Sequence, residues 1–137
     1  MSDLNMTISH MDGRALSRLL KALTRAEIKI IKGPTSGLIM ISITDPFGTD
    51  FHLGEALVTE AIVEYDGVRG YGMVMGDGSE RAVAAASADA LRKSGSPEMA
   101  KINKILAQER KKIVEARKKE EAIVESTRVK FETMVLG

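Results

Sequence analysis

The residues that could do chemistry in this chain are few. The histidines are His10 and His52, and there is no cysteine; disulfide scaffolds, cysteine metal sites and thiol catalysis are therefore excluded. His52 has Asp50 and Glu55 close by in sequence. A metal centre needs three convergent ligands with defined spacing, which this loop alone does not supply. Asp50 and His52 are also too local to imply a Ser-His-acid arrangement. An autonomous active site would need His52, Asp77 and Glu80 to converge in space. Gly76-Asp77-Gly78-Ser79 stands where a helical pattern begins, and the first N–H groups of a helix attract anions. Gly76, Gly78 and Ser79 are thus a candidate anion site, set against the plainer reading of a turn with a capping residue. Asp77 would repel a phosphate. Gly70-Tyr71-Gly72 is too early for a dinucleotide fingerprint, whose glycines lie at the strand-to-helix turn rather than inside a strand.

A second candidate is the basic run. Residues 97–130 hold ten Lys or Arg against six Asp or Glu, which permits a nucleic-acid stripe through 110–119. Mixed signs with i,i+4 pairs such as Glu115 with Lys119 favour an ordinary solvated helix face. Phe47, Phe51, Phe131, Tyr65 and Tyr71 are the only aromatics, thin material for base stacking. With 20 Lys and Arg, 19 Asp and Glu and a formal charge of +1, nothing steers the whole molecule toward nucleic acid or anionic lipid. The eight methionines read as core filler. Residues 1–12 have no apolar h-region and no stretch approaches 18 apolar residues, so the expectation is a cytoplasmic protein with no signal peptide and no membrane span.

The elements that would position these residues follow an α+β order. At 137 residues the chain reads as one domain, with residues 1–12 a mobile N-terminus. Leu16, Leu19, Leu20 and Leu23 recur at helical spacing and predict a helix over 13–25, capped by Ser9 or Asp12. Residues 27–32 alternate as a short strand, Gly33-Pro34-Thr35-Ser36-Gly37 reads as a turn, and Leu38 to Thr44 reads as a second strand, apolar enough to be central. Asp45-Pro46-Phe47-Gly48 breaks it. Residues 56–65, Asp66-Gly67 and Val68 to Met75 predict a hairpin with a two-residue turn. Gly70 and Gly72 leave one strand face bare, so a neighbouring helix should pack closely there. Ala82, Val83, Ala86, Ala90 and Leu91 give the next helix a small-residue face, Gly95 stops it, and Ser96-Pro97 starts another.

From Pro97 to about Thr127 no glycine or proline intervenes. A continuous helix there would span about 45 Å, longer than a compact body of this size at about 37 Å across. It must bend back, protrude or lie against another protein. Ile102, Leu106, Ile113, Ala116 and Ile123 fit an a/d seam, but Glu109 and Glu120 occupy the remaining seam positions. After this helix the period changes. Val129, Phe131, Thr133 and Val135 alternate with Arg128, Lys130, Glu132 and Met134, as in an extended strand with one buried face. An apolar chain end is expected to dock, on its own sheet or on another chain.

The closing stretch Thr127-Arg128-Val129-Lys130-Phe131-Glu132-Thr133-Met134-Val135-Leu136-Gly137 resembles the terminal motif of the G subunit of the bacterial carbon–phosphorus lyase core complex. Ser36-Gly37-Leu38, Gly54-Glu55-Ala56-Leu57-Val58-Thr59-Glu60-Ala61, Asp66-Gly67-Val68-Arg69-Gly70-Tyr71-Gly72-Met73-Val74-Met75-Gly76 and Asp89-Ala90-Leu91 agree in the same order. The similarity runs from about residue 13 to the end and is weakest over 97–124. The chain departs from the family at Leu136, where members usually carry arginine.

The resemblance implies a subunit of a complex with H, I and J partners that contacts the I-type subunit closely. The complex transfers methylphosphonate to the ribose of ATP and releases adenine, giving ribose 1-methylphosphonate 5-triphosphate. ATP would be substrate of the complex, with no cofactor, metal or catalytic residue expected on this chain. The expected architecture is an N-terminal helix, an antiparallel sheet with a central hairpin, C-terminal helices including one long charged helix over 97–127, and a docking tail over 128–137. Arg128, Val129, Phe131, Thr133, Met134 and Val135 would make the docking contacts, with homodimerisation through the tail when the partner is missing. The alternative is a basic-helix nucleic-acid or protein interaction module unrelated to phosphonates.

Overall fold

The computed structural model describes the backbone of residues 3–136 and the side chains of residues 3–123. It is α+β. Helices cover one face of a three-stranded antiparallel sheet, and a long last helix packs across them.

The chain opens with two helices, α1 (Asp3–His10) and α2 (Gly13–Leu23). The sequence suggested a mobile N-terminus, yet Leu4, Ile8 and Met11 are buried in the core. They lie four and three residues apart, one stripe of a helix, and the polar residues between them hide it. Arg81 fixes the end of α1, donating to the carbonyl oxygens of Ile8 at 2.8 Å and Met11 at 2.6 Å. In α2 the predicted stripe is inward: Leu16, Leu19 and Leu23 are buried. Asp12 caps it by accepting the Ala15 N–H at 2.7 Å, and that bond, before the nearby Lys112 and Arg18 charges, holds its carboxyl below the usual carboxylate range.

The strands are β1 (Lys29–Thr44), β2 (Asp50–Tyr65) and β3 (Val68–Met75), in the order β1-β2-β3. Asp66 and Gly67 join β2 to β3 with φ of 49° and 77°, the primed turn that matches strand twist. Two sequence expectations fail in β1. Gly33 to Gly37 is not a turn between two strands but an irregular stretch inside one, with the register slipping between Lys32 and Thr35. A proline is tolerated there because β1 is an edge strand. Nor is β1 central: all sixteen of its residues are exposed. Its apolar run has the composition of a central strand, yet it stands at the sheet's edge.

The bare face of β3 meets α3 (Ser79–Ser94) as the glycines required. A Cβ on Gly70 would lie 2.1 Å from the Ala86 carbonyl oxygen, and one on Gly72 would lie 2.4 Å from the Ala86 amide nitrogen. The helix backbone therefore rests directly on the strand. Ala82, Ala85, Ala86 and Ala90 are fully buried in that contact. Gly95 ends α3 at φ 71°, with the Ser96 N–H donating to the Leu91 carbonyl, a left-handed stop that glycine adopts without strain.

The last helix, α4 (Met99–Leu136), has 38 residues, about 57 Å at 1.5 Å per residue. Met99, Ile102 and Glu109 are buried against the body, whereas every residue from Val114 to Ile123 is exposed. The expected extended tail over 128–136 is instead helical backbone continuing α4. An alternating segment stays extended only if another strand takes its backbone hydrogen bonds. Among the described residues no strand of this chain does so, and a helix satisfies those groups internally.

Candidate protein-docking surface

The side-chain alternation of a strand sorts the sheet into two faces. Gly70, Gly72 and Val74 of β3 and Thr59, Ala61 and Val63 of β2 point to the helices; the two sets are cross-strand partners. The opposite face carries Tyr71 and Met75 of β3 and, in register across β2 and β1, Phe51 with Ile43 and Ala56 with Ile39. Ile39, Ile41, Ile43, Phe51, Tyr71 and Met75 are all exposed on it. The helices that contact the sheet lie on the glycine side; Val58, the cross-strand partner of Met75, is buried on this face, but these six side chains stand open among the described residues.

Beyond residue 57 toward the tip, the β1–β2 ribbon also outruns the helices on the other face. Leu38 is 65% and Met40 70% exposed there, and residues 37–57 form a two-stranded arm open on both sides. An isolated two-stranded ribbon is at best marginal in water. Its turn is well built: the Asp45 carboxylate accepts the N–H groups of Phe47 at 2.9 Å and Thr49 at 2.8 Å, and the Thr44 hydroxyl donates to Asp50. Phe47 stands at the tip, 93% exposed. Contiguous exposed apolar surface is what interaction sites commonly carry, which makes the face and arm a candidate docking surface.

The two edges of the sheet are treated differently. On β3 the Tyr71 N–H donates to the Asp89 carboxylate at 3.0 Å and the Met75 N–H to the Ser9 hydroxyl at 3.2 Å, so side chains blunt that edge. Among the described residues no strand or side chain serves the outer edge of β1 between Gly37 and Thr44. That stretch, Gly-Leu-Ile-Met-Ile-Ser-Ile-Thr, carries neither charge nor proline, the devices that normally guard an edge.

The residues singled out for chemistry do not assemble. Gly76, Gly78 and Ser79 do stand at the start of α3, but the turn is pinned by Thr59. Its buried hydroxyl donates to the Gly76 carbonyl at 2.7 Å and accepts the Gly78 N–H at 3.1 Å. The Asp77 carboxylate lies alongside, accepting from Ser36 at 2.9 Å, so an anion here would meet a carboxylate. His52 pairs with Ser42 on the arm, six residues along β1 from Ser36, about 20 Å by strand rise. His52 and Asp77 are therefore far apart. Among the described residues no group of three His, Cys, Asp or Glu side chains could hold a metal ion, and no helix is long and apolar enough to cross a membrane.

In the basic run, Arg110 pairs with Asp3 at 3.2 Å and Lys112 with buried Glu109 at 3.2 Å. Arg128, Val129, Phe131, Thr133, Met134 and Val135 fall on the last turns of α4; their side chains lie outside the described residues.

The sequence held a signal for the arm that residue motifs do not capture. From Gly33 to Val68 there is no lysine or arginine, against six acids: Asp45, Asp50, Glu55, Glu60, Glu64 and Asp66. The arm and its base are thus acidic, and the total of +1 hides a basic remainder.

No curated protein matches the chain. The family model described as phosphonate metabolism protein PhnG matches residues 3–137, nearly the whole sequence, in agreement with the motif resemblance. By that match over nearly its whole length, this chain belongs to the PhnG family of phosphonate metabolism proteins.

Proposed function

We propose that the chain is a non-catalytic structural subunit of the cytoplasmic carbon–phosphorus lyase core complex. In this reading it supports the transfer of methylphosphonate to the ribose of ATP with release of adenine. Its direct partner is the I-type subunit, with H and J subunits in the same assembly. Membership of the PhnG family supports the phosphonate context. The single observation that carries the subunit role is the uncovered apolar sheet face and arm, which a protein acting alone would be expected to bury or charge. The exposed stretch Val114 to Ile123 of α4, with the tail residues Arg128, Val129, Phe131, Thr133, Met134 and Val135 following on the same helix, is a second surface that another subunit can hold. The role is mechanical: the chain supplies shape and contact area that order the partner's active site.

Deleting Val129 to Gly137 tests the tail. The expected result is a chain that still unfolds cooperatively, with its helical circular dichroism lowered only by the deleted turns of α4, and that no longer co-purifies with the I-type subunit. Full-yield co-purification of the truncated chain would contradict tail docking.

A further inference from the structure

We propose that the outer edge of β1, residues 37–44, accepts an extended strand from a partner subunit, and that this segment is basic and apolar. The proposal rests on the subunit reading above and names the chemistry of the contact.

Three observations converge on this edge. The first is backbone valence. The β3 edge spends its amides on Asp89 and Ser9, whereas no strand or side chain among the described residues occupies the β1 edge. A row of unpaired N–H and C=O groups on an uncharged strand is a template for another strand. The second is area. Eight large apolar side chains of the arm are between 38% and 70% exposed, which amounts to on the order of 800 Å², what one partner contributes to a standard interface. Because both faces of the arm are open, an added strand would bring side chains alternately over each.

The third observation is charge. No lysine or arginine lies between Gly33 and Val68, where six acids do. Antiparallel pairing of two copies through β1 would set two acidic arms side by side, with no lysine or arginine in either to offset their field. A segment carrying Lys or Arg beside apolar residues meets the opposite field, which speeds encounter and suppresses self-pairing. Partner rather than second copy is therefore the occupant.

The test uses the full chain co-expressed with the H, I and J subunits. Ile41→Lys places on the edge the residue that natural sheets use to block strand addition, and it opposes a basic segment. Ile41 is exposed, so the fold should survive; Leu38→Lys serves as a second variant, and circular dichroism checks both. We expect the captured partner to fall at least tenfold. In the wild-type complex, amide exchange at 37–44 should slow at least tenfold relative to the isolated chain. Wild-type capture by both lysine variants, or unchanged exchange at 37–44, would overturn the proposal while leaving the subunit reading standing. A wild-type chain that is dimeric alone and made monomeric by Ile41→Lys would overturn it in favour of a second copy. If the wild-type chain captures none of the three subunits, the subunit reading fails and this inference with it.

Discussion

Individual residues here act mostly as pins, and two of them, Asp12 and Tyr71, carry a pH signature. Asp12 accepts the Ala15 N–H at the start of α2, and its carboxyl is held below its ordinary value of 3.8 chiefly by that bond. A depressed folded pKa contributes stability above the unfolded value that is lost as pH falls through the folded one. Asp12→Ala should therefore melt earlier than wild type at neutral pH, with the gap closing below about pH 3.8. Thermal melts across pH measure it, and a gap independent of pH would contradict the capping account. Tyr71 has the opposite sign. Its phenol donates to Glu60 at 2.6 Å, and that bond, then burial and the Glu60 charge, push its pKa up to about 12. The associated stabilisation is complete below pH 10 and disappears as pH rises through 12. Absorbance titration should show one late phenolate that Tyr71→Phe removes; its persistence in that variant would refute the assignment. The Asp12 cap was legible because an N-cap is a local matter. The Tyr71–Glu60 pair was not, because Glu60 opposes Met73 and Tyr71 opposes Ile62, a diagonal contact known only once register is known.

At the scale of elements, the β3–α3 contact shows how composition encodes proximity. Gly70 and Gly72 have no unusual φ to excuse them; their role is to lack a Cβ where α3 lies. Gly72→Ala would set a methyl 2.4 Å from backbone of Ala86, so strand or helix must move. The cost should reach or exceed the roughly 1–3 kcal/mol typical of overpacking. Denaturant unfolding measures it, and a loss below about 0.5 kcal/mol, the ordinary range for a surface change, would show that the two elements are not held so closely. This close packing was readable from glycines facing alanines. Two other elements were misread for one reason: propensity and periodicity do not say what an element pairs with. Leu38 to Ile43 has the composition of a central strand, yet β1 is an edge. Residues 128–136 have a strand's alternation, yet their backbone is helical. In the first case composition reports burial propensity and not position in the sheet; in the second, with no partner strand among the described residues, a helix is the internal solution. Glu109 is a milder case: it read as an interruption of the apolar seam, yet the fold buries it and supplies Lys112 and Arg18 as its partners.

The molecule as a whole is a packed body with two projections. The body joins α1, α2, α3, the first turns of α4 and the helix-facing side of the sheet into one core. The projections are the acidic arm and the outer half of α4, where Val114 to Ile123 are exposed throughout. Sequence length against domain size announced the second, since the helix was longer than any body the chain could build. The first was concealed by an unremarkable total charge of +1, and shows only when charge is read by segment. Membership of the PhnG family makes both projections intelligible as contact surfaces within a phosphonate metabolism assembly. On the function proposed above, another subunit completes the surface that this fold leaves open. Size-exclusion chromatography with light scattering, on the chain alone and mixed with the I-type subunit, tests it most directly. The account predicts that mixing moves the whole population into one hetero-assembly of defined mass; a chain that elutes unchanged, as a monomer indifferent to that subunit, would contradict it.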